Sequence, residues 1–530
     1  MSSRSIVIDP VTRIEGHLRV ELEVANGAVT TAKNVAALYR GFENIVLNRD
    51  PRDAPPILSA ICGVCHSDHH YNGVRAIENA AGLTQYTNSY ANETTVLSKD
   101  TVLARNVVGA ADWVYSHAVH IVALAGPDYQ LYGLLQALGQ SLVVNSYADL
   151  LRVVAIPAQA YMHQIITLWG GKAPHQRGAI PGGMPVRPSA EVIVQTRARI
   201  QNARTLFDVA VPVIWNYFTS NAVQLSQLGP GTGNFISMGQ FQDPTTSSGT
   251  TNMPLTISRG AITYPNTTPD PFDPTKISED VSKSWYDQSA SLNVTSEPPP
   301  KPDMTNSDAY SWAKSPRYNG NVTESGPLAR EYVTGIYPKL GKIINSINSS
   351  VPGLPLNPKG SVFDRMVARA LEIVALIGSN NTTKNLNVLG QPLNLSLVDV
   401  LTALGLPTKG LMETWLDSMD AGASVYTSAY KNPDSATGIG LWEAPRGSLF
   451  HWVDIKGGKI NDYQVIAPTT WNVPPNGPLE QGLVGTPVGN TGTDSDLLQV
   501  AYVIRSYDLC LACTVHYIDA RGNDRYFKAV

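Results

Sequence analysis

Cysteine is scarce in this chain: four in 530 residues, grouped as Cys62 with Cys65 and Cys510 with Cys513. Disulfide scaffolds scatter more cysteines through smaller chains, so that class is excluded. Charge is scarce too. Charged residues make up 15% of the chain, against about a quarter in ordinary soluble domains. The 39 basic and 43 acidic side chains leave a net charge of −4. That balance gives no basic footprint and argues against nucleic acid as a partner. Apolar runs approaching roughly eighteen residues are absent, so no transmembrane helix is expected. The opening "MSSRSIVIDPVTRIEGH" lacks the apolar stretch of a secretory signal, and none is expected on this chain. With 43% hydrophobic residues, the chain can bury one large core or two to three ordinary ones.

What is present is concentrated at the cysteines. The first pair sits in "AICGVCHSDHH" (60–70) and the second in "RSYDLCLACTVH" (505–516), with 444 residues between them, positions 66–509. Structural zinc sites built from two CxxC pairs usually space them about 15–20 residues apart. A four-thiolate zinc site here would have to join the two ends of a large fold, and that reading stays open at this point. A thioredoxin-like redox pair fits worse, because no βαβ unit surrounds either motif. Asp508, Arg505 and His516 flank the second pair, as groups supporting a catalytic metal do. Soft thiolates hold nickel, iron or zinc, so ligand type alone does not choose.

Along the chain, "HLRVELEVANGAVTTAKNVA" (17–36) alternates, turns at Asn26-Gly27 and alternates again, predicting a β-hairpin. Helical patterns run over 53–82, 93–125, 130–156 and 189–220, the last with Ser189 as N-cap. Gly, Pro, Ser, Thr and Asn dominate from about 229 to 327, an irregular excursion with short strands, better read as an insertion than a linker. Helices are expected again at 328–350, 361–379 and 396–428. Short strands follow "EAPRGSLFHW", "TTWNVPPNGP" reads as loop, and a last helical run leads from Leu497 into the second CxxC.

An ordered set of motifs resembles the large subunit of nickel–iron hydrogenases nearly end to end. "DPVTRIEGHLRVE", "RGFE" and "ICGVC" open the series. "GGKAPH", "DPTKISEDVSKSWY" and "YSWAKSPRYNG…GPLAR" continue it, and "EAPRG", "APTTWN" and "DLCLACTVH" complete it. The resemblance implies a mainly α (α+β) fold, with a large helical-bundle core, peripheral β-hairpins and both CxxC pairs at its centre. It makes residues 1–516 the hydrogenase domain and 517–530 a propeptide removed on maturation.

The resemblance also distributes roles. Cys62 and Cys510 become terminal thiolates on nickel, while Cys65 and Cys513 bridge nickel to iron in a Ni-Fe(CN)2(CO) centre. Arg446 and Thr469 match donors to the cyanides, which are acceptors in a dry pocket. Pro445, Ala467 and Pro468 wall the diatomic ligands, Asp508 supports the centre, and His69 bonds a bridging sulfur. Taken alone, Arg446 reads as an ordinary salt-bridged arginine and Glu15 as a strand-entry carboxylate paired with Arg13 or Arg19. Within the family pattern, Cys510 is the base that takes the proton of H2 and Glu15 passes it outward. Glu43, His516 and the Val465 carbonyl match ligands of a magnesium or similar ion, although histidine is not magnesium's usual ligand. His66 and His70 have no match and read as packing or solvent-facing residues, with a role at the pocket rim as the alternative. Leu509 replaces a usual proline, and Ser116 stands where many relatives carry an aspartate.

The expected reaction is reversible heterolysis of H2, in the uptake direction of a membrane-associated group. Clusters of iron and sulfur need about four thiolates each, so electrons are expected to leave through an iron–sulfur small subunit. A cytochrome b or quinone-linked anchor and a maturation protease are the further expected partners. The expected place is the extracytoplasmic face of the membrane, reached with the small subunit; the alternative is cytoplasmic. The competing readings are a non-catalytic complex-I-like subunit and a zinc-stapled structural protein.

Overall fold

The computed structural model describes residues 3–87, 90, 92–129, 151–244, 255–287, 293–347, 354, 356–491 and 494–511. Within them, four helices close a ring. Lys99–Val119 packs on Ile156–Gly170, that on Ala190–Ser220, that on Val362–Ile377, and this last again on Lys99–Val119. Serine starts three of them. Ser98, Ser189 and Ser361 accept the backbone N–H of Thr101, Val192 and Asp364, satisfying donors that the first helical turn leaves unpaired. Small side chains line the interior of Lys99–Val119, where Ala104, Ala110, Ala111 and Ala118 are fully buried. Continued through Tyr129, this helix is long and apolar enough to cross a membrane, but its most apolar window is 83% buried inside the fold. It is a core helix of this bundle.

The strands do more than decorate the bundle. Ser435–Ala444, Gly447–Lys456 and Lys459–Ile466 form an antiparallel sheet with Gly447–Lys456 in the middle. The His66–Ala80 helix lies directly on it. A Cβ at Gly440 would come within 2.5 Å of the Asn72 carbonyl, and one at Gly438 within 2.1 Å of that of Ala76. Glycine at both positions is what lets helix and strand touch. Asn72 seals the contact by donating to the Gly440 carbonyl at 3.2 Å and the Leu449 carbonyl at 2.9 Å. The fold is therefore mixed α+β, with the expected bundle and a sheet that shares the centre.

The expected hairpin is present as Leu18–Ala25 and Ala28–Ala36, with Arg4–Ile8 added at its edge. Several helical expectations need correction. Residues 53–82 are not one helix: short turns end at Ile61, Cys62 is extended, and the helix begins at His66. Residues 92–95 pair as a strand before Lys99–Val119 begins. Gly335, left-handed at φ 83°, divides Pro327–Thr334 from Ile336–Ile347. The span 396–428 holds two short helices, Leu397–Leu404 and Gly410–Asp417, and "PTTWN" is a helical turn rather than loop. Most of the helix expected at 130–156 lies outside the described residues. The 229–327 segment contributes paired strands, Phe235–Gln242 with Leu255–Ile262 and Ile277–Asp280 with Ser315–Tyr318, that pack into the core.

Candidate metal centre

Two breaks in regular structure bring the cysteines together. Cys62 is extended between a 3-10 turn and the His66–Ala80 helix, and Cys65 is the residue before that helix. The helix Leu498–Ser506 stops short of Cys510, and Asp508 turns the chain in a left-handed conformation at φ 54°. Asparagine and aspartate tolerate this better than most residues. Glu15 then holds the second segment: its N–H donates to the Leu509 carbonyl at 3.3 Å and its carbonyl accepts from Leu511 N–H at 2.6 Å. Residues near both ends of the sequence thus meet edge to edge.

The outcome is a cluster of three buried cysteines. The sulfurs of Cys62, Cys65 and Cys510 lie within 4.8 Å of one another, and Cys62 Sγ is 3.2 Å from Cys510 Sγ. The N–H groups of Val64 and Cys65 donate to Cys62 Sγ at 3.2 and 3.1 Å. Thr469 Oγ1 accepts the Cys510 N–H at 3.0 Å, and Cys510 Sγ donates to Glu15 Oε2 at 3.1 Å. Cys513 and His516 lie outside the described residues, as does 517–530.

Arg446 closes one side. It is fully buried, and its Nε donates to Asp508 Oδ1 at 3.1 Å. Its Nη1 is buried with no partner among the described residues. Burial works against its charge, but Asp508, Cys510, Cys65 and Cys62 outweigh that and hold it firmly protonated. Burial likewise pushes Asp508 up, and Arg446, His120 and Arg369 more than compensate, keeping it below the usual carboxylate range. Pro445, Ala467 and Pro468 lie at the same place in the fold, beside Arg446 and Thr469; Ala467 and Pro468 are buried.

Arg330 is a supporting residue that reading the motifs did not single out. Its guanidinium grips both oxygens of Glu372 at 2.6 Å, and donates to the carbonyls of Ala444 and Pro445 at 2.8 and 2.9 Å. It lies 3.7 Å over the Trp113 ring. Glu372 in turn bonds His117 Nε2 at 2.7 Å. This network sets the backbone that presents Arg446. The only sequence signal was the arginine closing "GPLAR".

The histidines after Cys65 are all buried, which removes the solvent-facing reading of His66 and His70. His70 Nε2 meets the Ala179 carbonyl at 2.7 Å, a packing role. His66 Nδ1 meets Ser67 Oγ at 3.1 Å, and its Nε2 is 4.0 Å from Asp112 Oδ1. Asp68 accepts from Trp442 Nε1 at 2.7 Å and faces Asp112. Burial pushes Asp68 up to about 7, and burial plus the Asp68 charge raises Asp112 well above its usual range.

At the expected magnesium position, Glu43 Oε1 accepts from Val465 N–H at 2.9 Å and from Lys314 Nζ at 3.1 Å. Lys314 also pairs with Glu279 at 3.0 Å, and Glu279 Oε1 is buried with no partner among the described residues. Hard oxygen donors gather here, with an ammonium already among them.

The family model described as nickel-dependent hydrogenase matches residues 40–138, 140–392 and 408–516. The chain belongs to the nickel-dependent hydrogenase family. A second model, described as HoxL-like, matches residues 5–34. The hydrogenase chain is 29% identical to the periplasmic [NiFeSe] hydrogenase large subunit of Desulfomicrobium baculatum, over 98% of this chain and 96% of that one. It is also 29% identical to the uptake hydrogenase large subunit of Rhizobium leguminosarum bv. viciae, covering 99% and 97%. Its structure superposes on the Ni-Fe-Se hydrogenase of D. vulgaris Hildenborough with a TM-score of 0.76 and 29% identity, over 97% of this chain and 100% of that chain. This hydrogenase is an oxidoreductase acting on H2, a large subunit that pairs with a small subunit, and the family implies a nickel–iron active site. The residues fit that group: buried soft donors converge, and a charged donor beside them, Arg446 Nη1, awaits an acceptor.

Proposed function

We propose that Cys62, Cys65, Cys510 and Cys513 hold a Ni-Fe(CN)2(CO) centre, and that this chain runs H2 oxidation in the uptake direction with Cys510 and Glu15 as its proton exit. The observation that carries the reading is the buried thiol cluster set beside the unpaired Nη1 of Arg446. When bound, the metal centre would supply the Lewis acidity that polarises H2 and the redox capacity for its electron pair. The protein's residues do the rest. Cys510 Sγ accepts the proton, and Glu15 Oε2, 3.1 Å away, receives it within hydrogen-bond reach. Glu15 is only partly buried, so the carboxylate joins the dry cluster to the wet side. Arg446 and Thr469 orient the iron's cyanides, Pro445, Ala467 and Pro468 exclude water from them, and Asp508 keeps the Arg446 guanidinium in place.

Magnesium at Glu43, His516 and the Val465 carbonyl belongs to the same proposal, with Glu279 and Lys314 able to bind its waters. So do cleavage after His516, an electron route through an iron–sulfur small subunit to a cytochrome b or quinone-linked anchor, and a site on the extracytoplasmic face of the membrane. Metal analysis of the mature heterodimer, with infrared spectroscopy for CO and CN stretches, tests the centre. Nickel, iron and diatomic bands are expected. Zinc alone with no bands would refute it and leave a zinc-stapled protein, and no metal at all would favour a complex-I-like subunit. Cys510→Ser is expected to abolish hydrogen uptake; retained uptake would remove Cys510 from its role.

A further inference from the structure

A hydrogen-bonded line of three side chains runs from the helix that follows Cys65 into the central sheet. His69 Nδ1 lies 3.4 Å from His451 Nε2, and His451 Nδ1 lies 2.9 Å from the Tyr463 hydroxyl. All three side chains are fully buried. They come from three elements, the His66–Ala80 helix and the adjacent strands Gly447–Lys456 and Lys459–Ile466. Tyr463 packs in the same apolar cluster as Cys62, Cys65 and Cys510. His69 Nε2 has no partner among the described residues, and the Cys62 charge acts on its ring.

Two buried ring nitrogens 3.4 Å apart hold a single proton between them, one ring donating and the other accepting. A neutral imidazole has one N–H and one lone pair. One proton between the two rings therefore fixes the state of all four nitrogens. If Tyr463 donates to His451 Nδ1, then His451 Nε2–H donates to His69 Nδ1 and His69 carries its proton on Nε2. The reverse polarity leaves a bare lone pair on the buried His69 Nε2, which no donor among the described residues meets, and that is costly.

We propose that His451 and Tyr463 are positioning residues that lock His69 in its Nε2–H tautomer, so that its one free donor serves the metal centre. This rests on the nickel–iron reading above. Neither residue touches the reacting atoms. They act as the outer partners of metal-site histidines do, by fixing ring orientation and tautomer.

Three variants of the holoenzyme heterodimer test the lock. In His451→Gln an amide N–H still donates to His69 and the amide oxygen still accepts from Tyr463. His451→Leu removes both functions at similar bulk, and Tyr463→Phe removes the terminal donor only. Nickel and iron content, the CO and CN infrared bands of the H2-reduced state and hydrogen uptake are read for each. With metal content intact, His451→Leu is expected to shift the bands and to lower uptake roughly 10–100-fold. Tyr463→Phe shifts them in the same direction by less, and His451→Gln restores both readouts. Unshifted bands in a metal-loaded His451→Leu protein overturn the proposal, as do equal shifts in all three variants, which mark a packing effect. If His451→Leu fails to load metal, Tyr463→Phe decides: wild-type bands refute the lock. Absence of the bands from the wild-type protein is a different result and overturns the metal reading itself.

Discussion

Glu15→Gln is the sharpest perturbation of the proposed proton exit. The Glu15 backbone is clamped to the Leu509–Leu511 segment by hydrogen bonds of 3.3 and 2.6 Å, so the substitution changes the side-chain end and little else. Glutamine keeps the length and can still bond Cys510 Sγ across the 3.1 Å gap, but it cannot take a proton. Losing one positioned acid–base group costs about 10²–10⁴-fold, or roughly 3–5 kcal/mol in the barrier. Glu15→Asp keeps the acid but withdraws it by about 1.5 Å, one carbon–carbon bond. That opens the gap beyond direct hydrogen bonding and leaves room for a bridging water, so an intermediate loss is expected. Hydrogen-dependent dye reduction gives the rates, while nickel and iron content and the infrared bands confirm an intact centre. The expected order is wild type, then Asp, then Gln. A fully loaded Gln variant with a wild-type rate would show that the proton leaves elsewhere, and altered metal content would make Glu15 structural.

Arg330→Met removes a buried cation from between Glu372, Glu443 and two carbonyls. Stranding buried carboxylates in this way costs about 3–5 kcal/mol, so a clear fall in melting temperature is expected; an unchanged melting temperature would refute the account of the network. Asp112→Asn is expected to stabilise the protein at pH 7–8. Asp68 and Asp112 keep in the fold a proton that the unfolded chain releases above about pH 4, so stability falls as pH rises from there through about 7, the Asp68 value. The groups facing Asp112 include Asp68, Tyr115, Tyr71, His66 and Cys62, and the amide removes the like-charge conflict. A gain on the order of 1–3 kcal/mol at pH 8 is expected, shrinking toward pH 4 and read as a melting-temperature difference; a loss at pH 8 would refute it.

Short, contiguous motifs were legible because each carries its chemistry in a few adjacent residues. "ICGVC", "RIEGH" and "APRG" could be matched one by one, and the structure brings Cys62, Cys65, Cys510, Glu15, Arg446 and Thr469 to one place. What escaped was pairing at a distance. His69 meets His451 across 382 positions and Trp442 meets Asp68 across 374, and no local pattern announces either contact. Helix lengths were overread for a local reason. Apolar spacing continues through Cys62–Cys65 and past Gly335, but an extended residue in one case and a left-handed glycine in the other end the hydrogen-bond ladder. The 229–327 segment read as an irregular excursion with short strands because turn residues dominate it, and the strands are there as pairs. Its strands are short, and their partners, not their own composition, keep them in register.

The edge-to-edge meeting of Glu15 with Leu509–Leu511 has a consequence for biosynthesis. A ribosome adding about 5–20 residues per second takes roughly 25–100 s to travel from Glu15 to Cys510, positions 495 apart. For all that time the first CxxC has no counterpart, and the most N-terminal strand waits with the neighbour of its following loop still unmade. The thiol cluster is therefore born last, on a body whose helical ring and central sheet are already translated.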